Sequence, residues 1–198
     1  TTTEKFAQNF FSSYLHLKQS GTLDSVSRDQ LIGSLLNQVP VGGMVTTYET
    51  TDVTLSSENN RESLKRYRDA YIPIVQEAFR IRVSELAMAK MALEGTDDGI
   101  FNELAQAAEV YSLIIDQLLA LEVPEMVAQE HLAILNGMAK FEYVASSLSV
   151  AREEPLGAMV GIKMIITAQE QTNAAVRRLA TTFSGFDMPF DSILEFSS

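Results

Sequence analysis

Residues that could do chemistry are concentrated in one stretch, "ALEVPEMVAQEHLAILNGMAKFEY" at 120–143. It contains Glu122, Glu125, Glu130 and His131, residue types that bind iron in helical bundles. A di-iron bundle uses Glu-x-x-His, because a separation of three residues puts both ligands on one helix face. Glu130 and His131 are adjacent, so their side chains diverge by roughly 100° on a helix. The spacing argues against a metal site, and we expect no metal and no cofactor.

His131 is predicted to lie in a helix core instead. Steps of four and three along this helix give a stripe in which His131 is the one polar member: Val127, His131, Ile134, Met138, Phe141, Ala145 and Leu148. If the next turn is centred near Glu153, the helix that follows places Asn173 opposite His131, with Gln169 one turn away. Because an unpaired polar group in a core is costly, we predict a hydrogen-bonded polar layer of His131, Asn173 and Gln169.

A ligand-sensing pocket is the alternative for the same region. Such a pocket would lie near His131 and Asn173, or under the rings of Tyr67 and Tyr71. Catalytic signatures are missing from the chain, which has two His, no Cys, no Gly-rich phosphate loop and no nucleophile elbow. The sequence therefore favours a protein that is not an enzyme.

Two glycines predict a close approach of helices. Gly157 and Gly161 form a Gly-x-x-x-Gly pair, and the same turn centre places them opposite Ser149 and Ala145. Small residues then face small residues, so we expect these two helices to pack closely near their shared turn.

Four long helical patterns fill residues 59–185 and must position these groups. The first ends at Gly95 and contains Pro73, where a kink or a break is expected. Pro124 and Pro155 are each predicted to occupy the first position of the next helix. Because the connections are very short, neighbouring helices should run antiparallel. The prediction is an all-α fold, an up-down-up-down antiparallel four-helix bundle.

The first 58 residues have a different pattern and are predicted to form an appendage. Two short amphipathic helices are followed by "MVTTYETTDVTLSS" at 44–57, whose β-branched residues predict an extended, strand-like segment. A single strand needs a neighbour, so it should lie along the bundle or pair with something external. Residues 186–198 form a predicted C-terminal tail.

Residues 5–36, "KFAQNFFSSYLHLKQSGTLDSVSRDQLIGSLL", combine aromatic residues, "LKQSG" and a short helical pattern. This arrangement resembles the segment just after the membrane anchor in uncharacterised bacterial proteins with one N-terminal span and a helical ectodomain. The resemblance covers about thirty residues. It implies an extracytoplasmic location in preference to a cytoplasmic one.

Charge limits the partners. The 198 residues include 15 basic and 26 acidic side chains, a net charge of -11. Nucleic acid and anionic membrane surfaces would be repelled by this field, and no apolar run has the length of a membrane span. We expect a non-enzymatic helical bundle that binds an unknown protein partner, with a homo-oligomer left open.

Overall fold

The structure is a computed structural model that describes residues 43–78, 81 and 99–188. The chain divides into two units, Thr1–Gly42 and Gly43–Ser198, and every described residue belongs to the second. Three predictions lie outside the described residues: the two short N-terminal helices, the helix end at Gly95, and most of the C-terminal tail.

Four helices make up most of the described residues: α1 (Arg61–Gln76), α2 (Gly99–Leu119), α3 (Ala128–Ser149) and α4 (Pro155–Ser184). The all-α class is therefore confirmed. Pro155 opens α4 as predicted, since its missing N–H is one that a first helical turn leaves unbonded anyway.

Helix α1 starts at a cap that the sequence signals. The Asn60 side chain accepts hydrogen bonds from the backbone N–H groups of Glu62 and Ser63, and the Ser63 hydroxyl accepts one from the Asn60 N–H. The helix ends at Gln76, one turn beyond Pro73. A proline inside a helix removes one hydrogen bond and crowds the carbonyl of the preceding turn, so Pro73 weakens α1 near this end.

A short two-stranded sheet connects the start of the described chain to the turn after α2. Strand β1 (Thr54–Ser56) pairs in parallel with β2 (Glu122–Pro124), and Leu55 lies opposite Val123. The placement of Pro124 at the first helical position is therefore wrong. Pro124 is the last residue of β2, with extended backbone angles, and a 3-10 turn separates it from α3. Burial of Val123 and pairing with β1 hold this segment extended, which overrides the helix-start signal.

The Thr-rich segment is extended in part: a 3-10 turn at Thr50–Asp52 interrupts it before β1, and Tyr48 contacts α3. The side-chain amide of Asn136 accepts from the Tyr48 N–H at 2.8 Å and donates to the Tyr48 carbonyl at 3.0 Å. One side chain thus satisfies both backbone groups of Tyr48, as a neighbouring strand would. The Tyr143 hydroxyl reaches the sulfur of Met44 at 3.6 Å.

The core of the described residues is centred on α3, which packs against both α2 and α4. Its stripe residues Ile134, Met138 and Leu148 are fully buried, as is Phe183 of α4. No helix within the described ranges is long and apolar enough to cross a membrane.

Candidate functional site: a buried tyrosine–histidine pair and an adjacent cleft

The four residues that suggested a metal site point in different directions. Glu122 and Glu125 are exposed, on β2 and in the turn that follows it. Glu130 lies 3.5 Å from the guanidinium of Arg178 on α4. His131 is fully buried. No group of three or more His, Asp or Glu that could hold a metal ion occurs in the part of the chain that the structure describes.

His131 belongs to an aromatic cluster between α1, α3 and α4. Its Nδ1 atom lies 3.0 Å from the hydroxyl of Tyr67, and the two rings meet edge to face with centroids 5.8 Å apart. The Tyr67 ring also stacks on Tyr71 at 5.5 Å and tilts against Phe183 at 6.3 Å. Tyr67 therefore contacts both the buried polar group, His131, and the aromatic rings of Tyr71 and Phe183.

Burial keeps both members of this pair neutral. Desolvation lowers the pKa of His131 from 6.5 to about 4, and the nearby backbone carbonyl of Leu118 opposes that shift by favouring the protonated ring. Burial, and then the charges of Tyr71 and Glu130, raise the pKa of Tyr67 well above its usual value. Which of the two groups donates depends on the tautomer of the imidazole: the Tyr67 O–H donates if the ring proton is on Nε2, and Nδ1–H donates if it is on Nδ1.

Nε2 of His131 has no hydrogen-bond partner of good geometry among the described residues. The Leu118 carbonyl, which favours the protonated ring, already accepts a hydrogen bond from the Leu121 N–H at 3.2 Å. A neutral imidazole sealed from solvent cannot exchange protons with a substrate on the surface. The pair is therefore suited to holding helices in register.

The predicted polar layer has a different partner from the one expected. His131 bonds Tyr67 on α1, and it makes no hydrogen bond to Asn173; Asn173 and Gln169 are half-buried on α4. The turn between α3 and α4 predicts which of their residues lie at one level, but it carries no information about where α1 packs. The available signal was Tyr67 itself, because a buried tyrosine needs a partner for its hydroxyl.

The glycine pair does mark a close approach, with other neighbours than Ala145 and Ser149. A Cβ atom on Gly161 would lie 2.7 Å from Oγ of Ser147 and 3.4 Å from Cα of Val144. A Cβ atom on Gly157 would meet only Cβ of Ser147, at 3.6 Å. The position of the turn predicts which residues of α3 and α4 lie at the same height along the helix axes. It does not predict which side of α3 faces α4, so the observed neighbours lie at the predicted height but on another side of α3.

Replacing Gly161 by Leu is expected to destabilise the protein by roughly 1–3 kcal/mol, because the backbone of Val144 leaves no room for a larger side chain. Gly157→Ala is the matched control. Its Cβ would make an ordinary contact, and the better helix propensity of Ala should stabilise by up to about 1 kcal/mol. Urea denaturation of both variants measures the difference. A Gly161→Leu variant as stable as the wild type would show that the two helices are not in close contact there.

A cleft of about 170 Å³ opens beside Tyr67, between one face of α1 and the strands. Arg66 and Tyr67 contribute the α1 wall, while Ser56 and Glu122 come from β1 and β2. Arg66 and Glu122 are exposed, whereas Ser56 and Tyr67 are almost fully buried. The cleft therefore has a buried floor and a charged rim.

No family model, curated protein or solved structure matches this chain. Function must therefore be inferred from the contacts and charges of the residues described above.

Proposed function

We propose that the protein is a non-enzymatic helical module that binds a partner protein through its surface, as the soluble part of a membrane-anchored extracytoplasmic protein. The anchored location follows from the resemblance of residues 5–36 to anchor-proximal segments. His131 and Tyr67 are buried in the core and hydrogen-bonded to each other, which supports a function other than catalysis. A hydrogen-bonded pair in the core holds the helices in fixed positions, and fixed helices give a partner protein a stable surface to bind.

The proposed framework for that surface is the up-down-up-down antiparallel bundle of α1 to α4. Contacts between α3 and α4 support it, because residue numbers rise along α3 as they fall along α4. From the start of α3 towards its end, the contacts join Glu130 to Arg178, Gly137 to Thr172 and Val144 to Gly161. These three contacts lie at successive heights along the same two helices.

The surface proposed to bind the partner is the outer edge of β1. The sheet in the described residues has two strands, and β2 is its inner strand, with Val123 fully buried against the helices. Leu55 on β1 is 37% exposed, and Met126 just beyond β2 is 36% exposed. An exposed strand edge next to apolar side chains is the arrangement to which an extended partner segment adds as a further strand. This edge is the observation that carries the proposal.

Site-specific photo-crosslinking in cells of the native organism tests it. A photoreactive residue at position 55 should give one defined adduct, whereas the same residue at Leu113, 59% exposed on α2, should give none. The purified partner should then bind the wild type, and Leu55→Asp should weaken binding by about tenfold or more, because a carboxylate would be desolvated in the interface. Equal adducts at both positions, or none at position 55, would contradict the edge of β1 as the binding surface.

A second function, ligand sensing, is favoured by the cleft beside Tyr67. Tyr67 lines the cleft, and its hydroxyl bonds His131. A ligand in the cleft would thus contact the same side chain that holds the polar centre of the core. The predicted pocket under the Tyr67 and Tyr71 rings is proposed to be this cleft.

A further inference from the structure

The rim of the cleft carries opposite charges on opposite walls. Arg66 projects from α1, and Glu122 belongs to β2. We propose that the cleft binds a small zwitterion, an α-amino acid with a short side chain, whose carboxylate faces Arg66 and whose ammonium faces Glu122. The proposal rests on the ligand-sensing function of the cleft and names the class of its ligand.

The carboxylate of such a ligand would meet two donors. One nitrogen of the Arg66 guanidinium bonds Glu58 at 2.7 Å, but a guanidinium has five N–H groups and can bind a second carboxylate. The Ser56 hydroxyl accepts from the Glu58 N–H at 3.3 Å, and its own O–H donates to no other described residue. Arg66 and Ser56 are thus a charged and a neutral donor that both line the cleft.

The ammonium would meet Glu122. Its backbone is fixed by pairing of β2 with β1, opposite Thr54. Its carboxylate makes no ion pair with any other described residue, yet it lies close enough to Arg66 to help raise the pKa of the guanidinium, after Glu58. A ligand ammonium between these walls would give Glu122 the partner that it lacks in the described part of the chain.

Size limits the ligand to a few heavy atoms. The volume of the cleft is about 170 Å³. That is well below the range of pockets for drug-sized ligands, about 300–1,000 Å³. Ser63, Leu121, Pro124 and the small side chain of Ala70 complete the lining, so the space beyond the charged groups suits a methyl or hydroxymethyl side chain.

Net charge favours a zwitterion over a simple anion. The protein carries a charge of -11, which repels small carboxylates and phosphate. An α-amino acid has no net charge at neutral pH, so it does not meet this repulsion. Its carboxylate and ammonium groups are attached to the same carbon atom, so both fit within a cleft of this volume.

Titration of the full chain with L-alanine, followed by amide NMR, tests the proposal. Saturable shifts are expected at Ser56, Ala70 and Leu121, which line the cleft. Propionate lacks the ammonium and L-alaninamide lacks the carboxylate, so each should bind about tenfold more weakly or worse. If either analogue binds as well as alanine, the zwitterion class is wrong while the cleft remains a ligand site. If none of the three gives saturable shifts there, both the zwitterion and the ligand-sensing function of the cleft are overturned.

Charge-neutral variants separate the two walls. Arg66→Gln and Glu122→Gln should each weaken alanine binding by about tenfold or more, because each removes one charged partner, and Glu122→Gln does so at nearly constant shape. Both side chains are exposed, so the fold should persist. Arg68→Gln is the control, since Arg68 pairs with Asp69 at 2.8 Å and does not line the cleft. Unchanged affinity in Arg66→Gln or Glu122→Gln, or a matching loss in Arg68→Gln, would overturn the assignment.

Discussion

Gly137→Ala is expected to destabilise the protein by roughly 1–3 kcal/mol, although alanine is the better helix former by about 1 kcal/mol. A Cβ atom at position 137 would overlap Oγ1 of Thr172 and would lie 3.0 Å from its Cβ and 3.1 Å from its Cγ2. These atoms stand at the base of a β-branched side chain that has little rotamer freedom in a helix. Thr172 Oγ1 is also held by a hydrogen bond to the Ala168 carbonyl at 2.7 Å. Relief of the overlap therefore requires α3 and α4 to move apart.

A double-mutant cycle with Thr172→Ala isolates this contact. Thr172→Ala removes two of the three crowded atoms, so Gly137→Ala should cost less in that background, with a coupling of about 0.5–3 kcal/mol. Urea denaturation gives the four free energies of unfolding. Additive effects of the two substitutions would show that Gly137 and Thr172 do not touch in solution.

His131→Leu is expected to flatten the pH dependence of stability on the acid side. The folded pKa of about 4 lies below the unfolded value of 6.5, so the unfolded state binds the proton first as the pH falls. The stability gained from burying neutral His131 is complete above pH 6.5 and is lost progressively as the pH falls to about 4. The loss is of the order of 3 kcal/mol, at about 1.4 kcal/mol for each unit of pKa difference.

The measurement is the difference in unfolding free energy between wild type and His131→Leu from pH 7.5 to pH 4, since carboxylates titrate in both proteins. Gln169→Leu removes a half-buried polar side chain that does not titrate, and it should keep the wild-type pH profile. At pH 7 the Tyr67 hydroxyl loses its partner in His131→Leu, a cost of about 1–3 kcal/mol that Tyr67→Phe should largely recover. A pH profile in His131→Leu equal to that of the wild type would contradict a buried neutral imidazole. A zinc-dependent rise in melting temperature that disappears in His131→Leu would revive the metal site.

Local signals in the sequence predict the helices well. Asn60 caps α1, Pro155 opens α4 and Gly185 ends it, because each of these depends on the backbone chemistry of one or two turns. Pro124 shows where local sequence signals fail to predict a helix start. Its sequence signal is equally good for a helix start, but pairing of β2 with a strand far away in the chain decides the outcome.

The candidate site divides in the same way. Burial of His131 follows from the periodicity of one helix, and the structure confirms it. Its hydrogen bond to Tyr67 depends on how α1 packs, which no periodicity contains. Gly137 could have been found from the sequence, since a glycine in the middle of a helical stripe usually has a packing reason. The cleft could not, because its walls come from α1 and two strands that only the tertiary fold brings together.

The pairing of β1 with β2, and of Tyr48 with Asn136, bears on the order in which the chain folds. Tyr48 and Asn136 are 88 positions apart in sequence, whereas α3 and α4 are joined by a short turn. Closing a long loop costs more chain entropy than closing a short one, so contacts between adjacent helices should form before the Thr-rich segment docks. Interactions that form after the rate-limiting step affect the rate of unfolding more than the rate of folding. The segment from Met44 to Ser56 would then dock late in folding. Its contacts would slow the unfolding of the native state more than they would speed its formation.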